Sequence, residues 1–159
     1  MRHSQAVKKS EWHSHRGSCP MCGIPLDSEY FDESGVVEAP QVGAAVLLAR
    51  LELPAQYCGV LEFFSQFTDE HAKDASKIAT PGLLWTIQVD NRPLYPYLNF
   101  DRIVNPWGYG SFQISIRLDD SARIEFVARR VTNAAPNITH VGGRIVGRYW
   151  YNAAYGDVV

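Results

Sequence analysis

The chain has 159 residues, 46% hydrophobic, 12% aromatic and 20% charged, with a formal net charge of −2. That length suits one domain with an appended segment, and the apolar fraction excludes wholesale disorder. A near-neutral balance argues against a nucleic-acid-coating protein, and three cysteines are too few for a disulfide scaffold.

The imbalance of charge lies in the first quarter. Residues 1–16 carry Arg2, Lys8, Lys9 and Arg16 against Glu11, a net of +3. Residues 17–40 carry Asp27, Glu29, Asp32, Glu33 and Glu38 without Lys or Arg, a net of −5. The rest is balanced, with 11 positive and 11 negative side chains. This quarter is polar, lacks a sustained period and is broken by Gly17, Pro20, Gly23, Pro25, Gly35 and Pro40. Residues 1–40 are therefore expected to form an extended charged arm that a partner orders, and residues 41–159 a β-sandwich domain. The bland alternative for the arm is a solvated tail.

Within this segment Cys19-Pro20-Met21-Cys22-Gly23 places two thiols three positions apart on a tight turn, half of a zinc knuckle. His13 and His15 lie just upstream, so Cys19, Cys22, His13 and His15 are the candidate zinc ligands. Their spacing is short for a zinc finger, and His3 or Cys58 are alternative fourth ligands. The competing readings are two free thiols beside solvated histidines, and a redox pair; the redox role lacks a following amphipathic helix to lower a thiol pKa. Cys58 reads as a small buried hydrophobe beside a strand.

From about residue 42 the pattern changes to period two. Val42–Leu53 and Gly59–Phe67 read as long strands joined by Pro54-Ala55-Gln56-Tyr57, with Gly59 marking a bulge or an unusual backbone conformation. Thr68–Lys77 is polar, one helical turn or an exposed loop. Leu83, Trp85, Ile87 and Val89 alternate before a turn at Asp90-Asn91-Arg92-Pro93. Tyr95–Gly110 is a long loop rich in aromatics. Phe112, Ile114, Ile116 and Leu118 alternate with polar residues, Asp119-Asp120-Ser121 is turn chemistry, and Ile124, Phe126 and Ala128 return as the second arm of a hairpin. Ile145, Gly147, Tyr149 and Tyr151 alternate with Val146, Arg148 and Trp150; large groups on both faces mark a central strand or one that touches another chain. The fold class is all-β, an antiparallel β-sandwich with an extended N-terminal arm.

No catalytic constellation emerges. The sequence has no G-x-S-x-G, P-loop, HExxH or G-x-G-x-x-G. His13-Ser14-His15 lies in the polar arm with no Glu at the spacing a cupin site needs. His71 and His140 read as surface histidines, and Asp69, Glu70 and Asp74 as a solvated helix face. The longest apolar stretch falls far short of the ~20 residues of a membrane span. The N-terminus has no apolar signal region, so a product that stays in a reducing compartment is expected.

One pattern spans the body. Leu53-Pro54-Ala55-Gln56-Tyr57-Cys58-Gly59-Val60 enters a strand; Leu84-Trp85-Thr86-Ile87-Gln88-Val89-Asp90-Asn91 is a strand and turn; Arg123-Ile124-Glu125-Phe126 follows; and Val141-Gly142-Gly143-Arg144-Ile145-Val146-Gly147-Arg148-Tyr149-Trp150 closes it. Over about residues 42–152 this resembles small jelly-roll structural proteins of tailed bacteriophages, those that decorate heads or build neck, collar and fibre-attachment rings. The Cys/His arm is not part of the resemblance. The resemblance implies a jelly-roll-like fold and a non-enzymatic virion component, made in the host cytoplasm, that forms symmetric homo-oligomeric rings or caps on capsid or tail subunits. On the residues' own terms, an arm and an aromatic loop suit a subunit that grips its neighbours, with Tyr95, Tyr97, Trp107, Tyr109 and Trp150 as interface anchors and other virion proteins held through the arm. Neither membrane nor nucleic acid is an expected partner. The alternative is a carbohydrate-binding sandwich that stacks sugars on Tyr95, Tyr97, Trp107 and Tyr109; a third reading, a metal-dependent enzyme, would use the Cys/His segment.

Overall fold

The computed structural model describes residues 24–73, 82–94 and 112–152. They form β1 (Glu29–Glu38), β2 (Ala45–Glu52), β3 (Tyr57–Thr68), a helical turn α1 (Asp69–Lys73), β4 (Leu83–Val89), β5 (Arg92–Pro93), β6 (Phe112–Leu118), β7 (Arg123–Arg130) and β8 (His140–Tyr151). The strands make two four-stranded sheets, in the orders β1-β8-β3-β6 and β2-β7-β4-β5, with every pairing antiparallel.

The pairing has a simple rule. The first strand pairs with the last, the second with the second-last, and so inward to the β4–β5 hairpin. Laid flat, the chain is one long ribbon folded back on itself. Two further pairings, β3 with β8 and β4 with β7, roll that ribbon into two facing sheets. Every link between consecutive strands except β4–β5 therefore crosses from one sheet to the other.

Alternation supplies the core between the sheets. Leu61, Phe64, Trp85, Ile87, Leu118, Ile124, Phe126, Ala128, Val141 and Ile145 are all fully buried. Phe126 lies at its centre, edge-on to Phe64 at 6.1 Å between ring centroids and tilted against Trp85 at 6.1 Å. Opposite the rings, β8 offers glycines. A Cβ on Gly143 would sit 2.5 Å from Cδ1 of Phe126, and one on Gly147 would sit 2.6 Å from Cζ of Phe31 as well as against the Val60 carbonyl. The missing side chains let two rings lie on the strand backbone.

Several elements depart from the sequence reading. Residues 29–38, assigned to the arm, are a full sheet-edge strand with ten paired positions along β8. Their acidic side chains concealed it: only Phe31 is buried, and a charged edge is how natural sheets discourage further pairing. β2 begins at Ala45, because Gly43 turns the chain at φ 88° and donates its N–H to the Arg130 carbonyl at 2.7 Å. Asp90 and Asn91 alone make the turn, both at positive φ (51° and 64°), the geometry of a two-residue hairpin loop; Arg92-Pro93 belong to β5. The bulge in β3 falls between Leu61 and Phe63, not at Gly59, whose missing side chain instead admits the Arg148 carbonyl. The polar stretch after β3 opens with the helical turn α1.

Candidate functional site

The two outer faces differ in character. On the second sheet, Arg50 and Arg123 both lie beside Glu125, at 3.8 and 3.7 Å, and Arg50 also meets Glu52. That face pairs its own charges and leaves Leu47 as its exposed large apolar group. The outer face of the first sheet mixes rings with ion pairs, and is the candidate interaction site.

The bulge creates it. Before the bulge, Gly59 and Leu61 point into the core and Cys58 and Val60 point out; after it the phase flips, so Phe64 is buried while Phe63 and Phe67 point out, 36% and 37% exposed. Across the sheet on β1, Tyr30 and Val36 are 72% and 61% exposed. Four large apolar groups thus stand on one face, where a monomer ordinarily keeps polar groups.

Arginines on the central strand β8 bind the three strands together. Arg144 donates to Asp32 on β1, with Nε 2.7 Å from Oδ1 and a second bond to Oδ2. Arg148 donates to Glu62 on β3, with Nε 2.9 Å from Oε2 and a second bond to Oε1, and its guanidinium lies 5.6 Å from the centre of the Tyr30 ring. The bonds from Arg144 hold the Asp32 carboxyl below its ordinary pKa. With their charges matched locally, the arginines leave a face that is apolar with polar fixed points, the composition of an interface core.

Between β1 and β3, over β8, lies an open groove of about 430 Å³, lined by Ser34, Val36, Ser65, Phe67 and Arg144. Gly142 lets two of its lining side chains approach: a Cβ there would lie 2.9 Å from Cγ2 of Val36 and 3.3 Å from Cδ1 of Phe67.

Of the anchors expected from sequence, Trp150 is on this face, half-buried and in register with Cys58 on β3. β8 is central, between β1 and β3, as its two-sided bulk implies. Tyr95, Tyr97, Trp107 and Tyr109 lie outside the described residues, as do the candidate zinc ligands Cys19, Cys22, His13 and His15. Among the described residues no group of three or more His, Cys, Asp or Glu side chains is placed to hold a metal ion. Cys58 is a free thiol, buried within β3 rather than beside it, and burial pushes its pKa up. Tyr30, Val36, Phe63 and Phe67 were missed; the excess of apolar residues in Leu61-Glu62-Phe63-Phe64-Ser65-Gln66-Phe67, too many for one face of a regular strand, was the available signal.

Of the carboxylate and histidine candidates, Asp69 and His140 have structural work, while Asp74 and the side chain of His71 lie outside the described residues. Asp69 accepts from the Thr139 hydroxyl at 2.6 Å and from the N–H groups of Thr139 and His140 at 3.0 and 3.1 Å, tying the β7–β8 connection to α1. Partial burial opposes ionisation of Asp69, but these bonds outweigh it and hold its carboxyl well below the ordinary carboxylate range. Thr139 Oγ1 is also 3.0 Å from Nδ1 of His140. The hydroxyl's single proton goes to the Asp69 carboxylate rather than to the imidazole, so the three groups form a clamp that holds the start of β8 against α1.

No protein-family model matches the chain, and no curated protein matches it.

Proposed function

We propose that this protein is a non-enzymatic virion subunit of jelly-roll type, which assembles with its own copies and with capsid or tail proteins of a tailed phage. The observation that carries the reading is the outer face of the first sheet, where Tyr30, Val36, Phe63 and Phe67 are exposed between two locally neutralised arginines. Burying those groups against a neighbour would stabilise an assembly by about 25 cal/mol per Å² of apolar surface. The first-with-last pairing of eight strands supports the finer fold assignment, because two Greek keys wound from one ribbon make the sandwich shared by viral capsid and lectin domains. The resemblance of the body to phage head and neck proteins points the same way. Light scattering on the purified chain, together with co-sedimentation on capsid or tail particles, tests it: the expected result is a discrete oligomer or bound particles. A monomer that leaves both particle types bare removes the reading.

The second reading is a carbohydrate-binding sandwich. The groove favours it, since one ring face (Phe67) beside two hydroxyls (Ser34 and Ser65) and a guanidinium (Arg144) is the mixture that stacks and hydrogen-bonds a sugar. A glycan array decides between them.

A further inference from the structure

On the outer face of the first sheet, residues in register stand side by side in rows across β1, β8 and β3. Tyr30 and Arg148 share the first row; Asp32, Val146 and Phe63 form the second; Ser34, Arg144 and Ser65 the third; Val36, Gly142 and Phe67 the fourth. The first two rows form a ridge. The guanidinium of Arg148 lies 5.6 Å from the centre of the Tyr30 ring, yet that ring remains 72% exposed. The last two rows form a hollow. Two serines flank Arg144, and the fourth row has no side chain at its centre, where the groove opens between Val36 and Phe67. Ridge and hollow stand on the same three strands, with Tyr30 and Val36 about 20 Å apart along β1.

We propose that the occupant of this face is a second copy of the chain, laid face to face about a two-fold axis that crosses the strands between the second and third rows. The arrangement rests on the assembly reading. That axis reverses the order of the rows, so the first row of each copy meets the fourth of the other, and the second meets the third. Tyr30 and Arg148 enter the hollow over Gly142 of the second copy, and Phe63 lies over its Ser65. The charges fit the same axis. Asp32 of each copy comes level with Arg144 of the other, one strand to the side. Each Asp32–Arg144 pair is about half exposed, so the two pairs extend across the contact into a network of four charges with no net excess. An axis along the strands would instead set ridge against ridge. Strands of 10, 12 and 12 residues give a face about 35 Å by about 14 Å, so two copies bury roughly 1,000 Å², where specific interfaces begin. Such a contact is isologous and closes on itself, giving a dimer or an even-numbered assembly.

A photo-crosslinker in place of Tyr30 tests this in the full chain. Light scattering counts the subunits of the Tyr30→p-benzoylphenylalanine protein, then a mixture of isotope-light and isotope-heavy copies is irradiated and the cross-links between copies are mapped by mass spectrometry. The expected result is an even-numbered oligomer with position 30 joined to the Ser34–Glu38, Ser65–Thr68 or Val141–Arg144 peptide of the other copy. An oligomer with an odd subunit count, with cross-links elsewhere on the second copy or with none between copies overturns this arrangement and leaves the assembly reading standing. So does a monomer that binds capsid or tail particles; a monomer that binds neither overturns both. A second measurement uses Ser65→Trp, which adds bulk where Phe63 of the other copy would lie. With unchanged circular dichroism, its dissociation constant for self-association should rise at least about tenfold; an unchanged constant in the folded variant overturns the proposal.

Discussion

The guanidinium of Arg148 and the carboxylate of Glu62 meet side by side across β8 and β3, through two hydrogen bonds, at the residue where β3 bulges. Glu62 is the extra residue of that bulge, with no partner on β8, and its side chain is only 18% exposed against 22% for Arg148. The pair is buried enough to matter, and it fixes the strand at the point where its phase flips.

Breaking the pair from one side should therefore cost more than removing it. Arg148→Ala leaves a half-buried carboxylate without its partner, which should lower unfolding free energy by about 1–3 kcal/mol. The double variant Glu62→Ala/Arg148→Ala should fall short of the sum of the two single losses, the mark of direct coupling. Urea unfolding of the four proteins measures this, and strict additivity would show that the two groups do not depend on each other.

Asp69 makes stability depend on pH. Its folded pKa lies below the unfolded value near 3.9, so the folded state favours the ionised form. Its contribution is fully present above the ordinary carboxylate value and is lost as pH falls from there toward the lower folded value. Asp69→Asn should cost about 1–2 kcal/mol at neutral pH, since a neutral amide accepts the three bonds less strongly. The gap between the two proteins should narrow as pH falls below 4. Thermal unfolding followed from pH 7 to pH 3 checks this; a gap that stays constant would remove Asp69 as its source.

The glycines of β8 should not be equivalent. At Gly143 an added methyl meets the Phe126 ring, a side chain able to shift; at Gly147 it meets the Val60 carbonyl, which is held in the sheet. Gly147→Ala should destabilise by more than Gly143→Ala, both within the ~1–3 kcal/mol range of overpacking. Phe126→Leu should relieve part of the Gly143→Ala cost and none of the Gly147→Ala cost. Equal penalties at the two sites, measured by denaturant unfolding, would mean that the backbone moves freely there.

Strands with an uninterrupted period were legible. Phe112–Leu118, Leu83–Val89 and Arg123–Arg130 match the structure as strands because each has one apolar and one polar face. The expected hairpin of Phe112–Leu118 with the strand from Arg123 does not form: β6 pairs with β3 and β7 with β2 and β4, in opposite sheets, because alternation fixes a strand's faces and not its partner. β1 was not legible, since an edge strand with an acidic outer side lacks the apolar rhythm of a buried strand. The candidate interaction face was legible only at Trp150. Phe63 and Phe67 would belong to the core in a regular strand, and a bulge, which is a long-range compromise between β3 and two neighbours, turns them outward. Tyr30 and Val36 went unread with β1, because a side chain's face has no meaning until its strand is recognised.

That face yields the prediction that separates fold from function. Val36→Ser, Phe63→Ser and Phe67→Ser together remove exposed apolar surface without opening the core, as Phe64, Leu61 and Ile145 fill the other side of the sheet. Surface changes of this kind each fall within about 0.5 kcal/mol, so the triple variant should unfold close to the parent temperature. Its self-association and particle binding should drop at least about tenfold, a loss of about 1.4 kcal/mol or more of binding free energy. Arg117→Ser, at an exposed position on the same sheet's far edge, should change neither property. If the triple variant associates like the parent while Arg117→Ser does not, the contact surface lies at the β6 edge and the exposed rings serve another purpose.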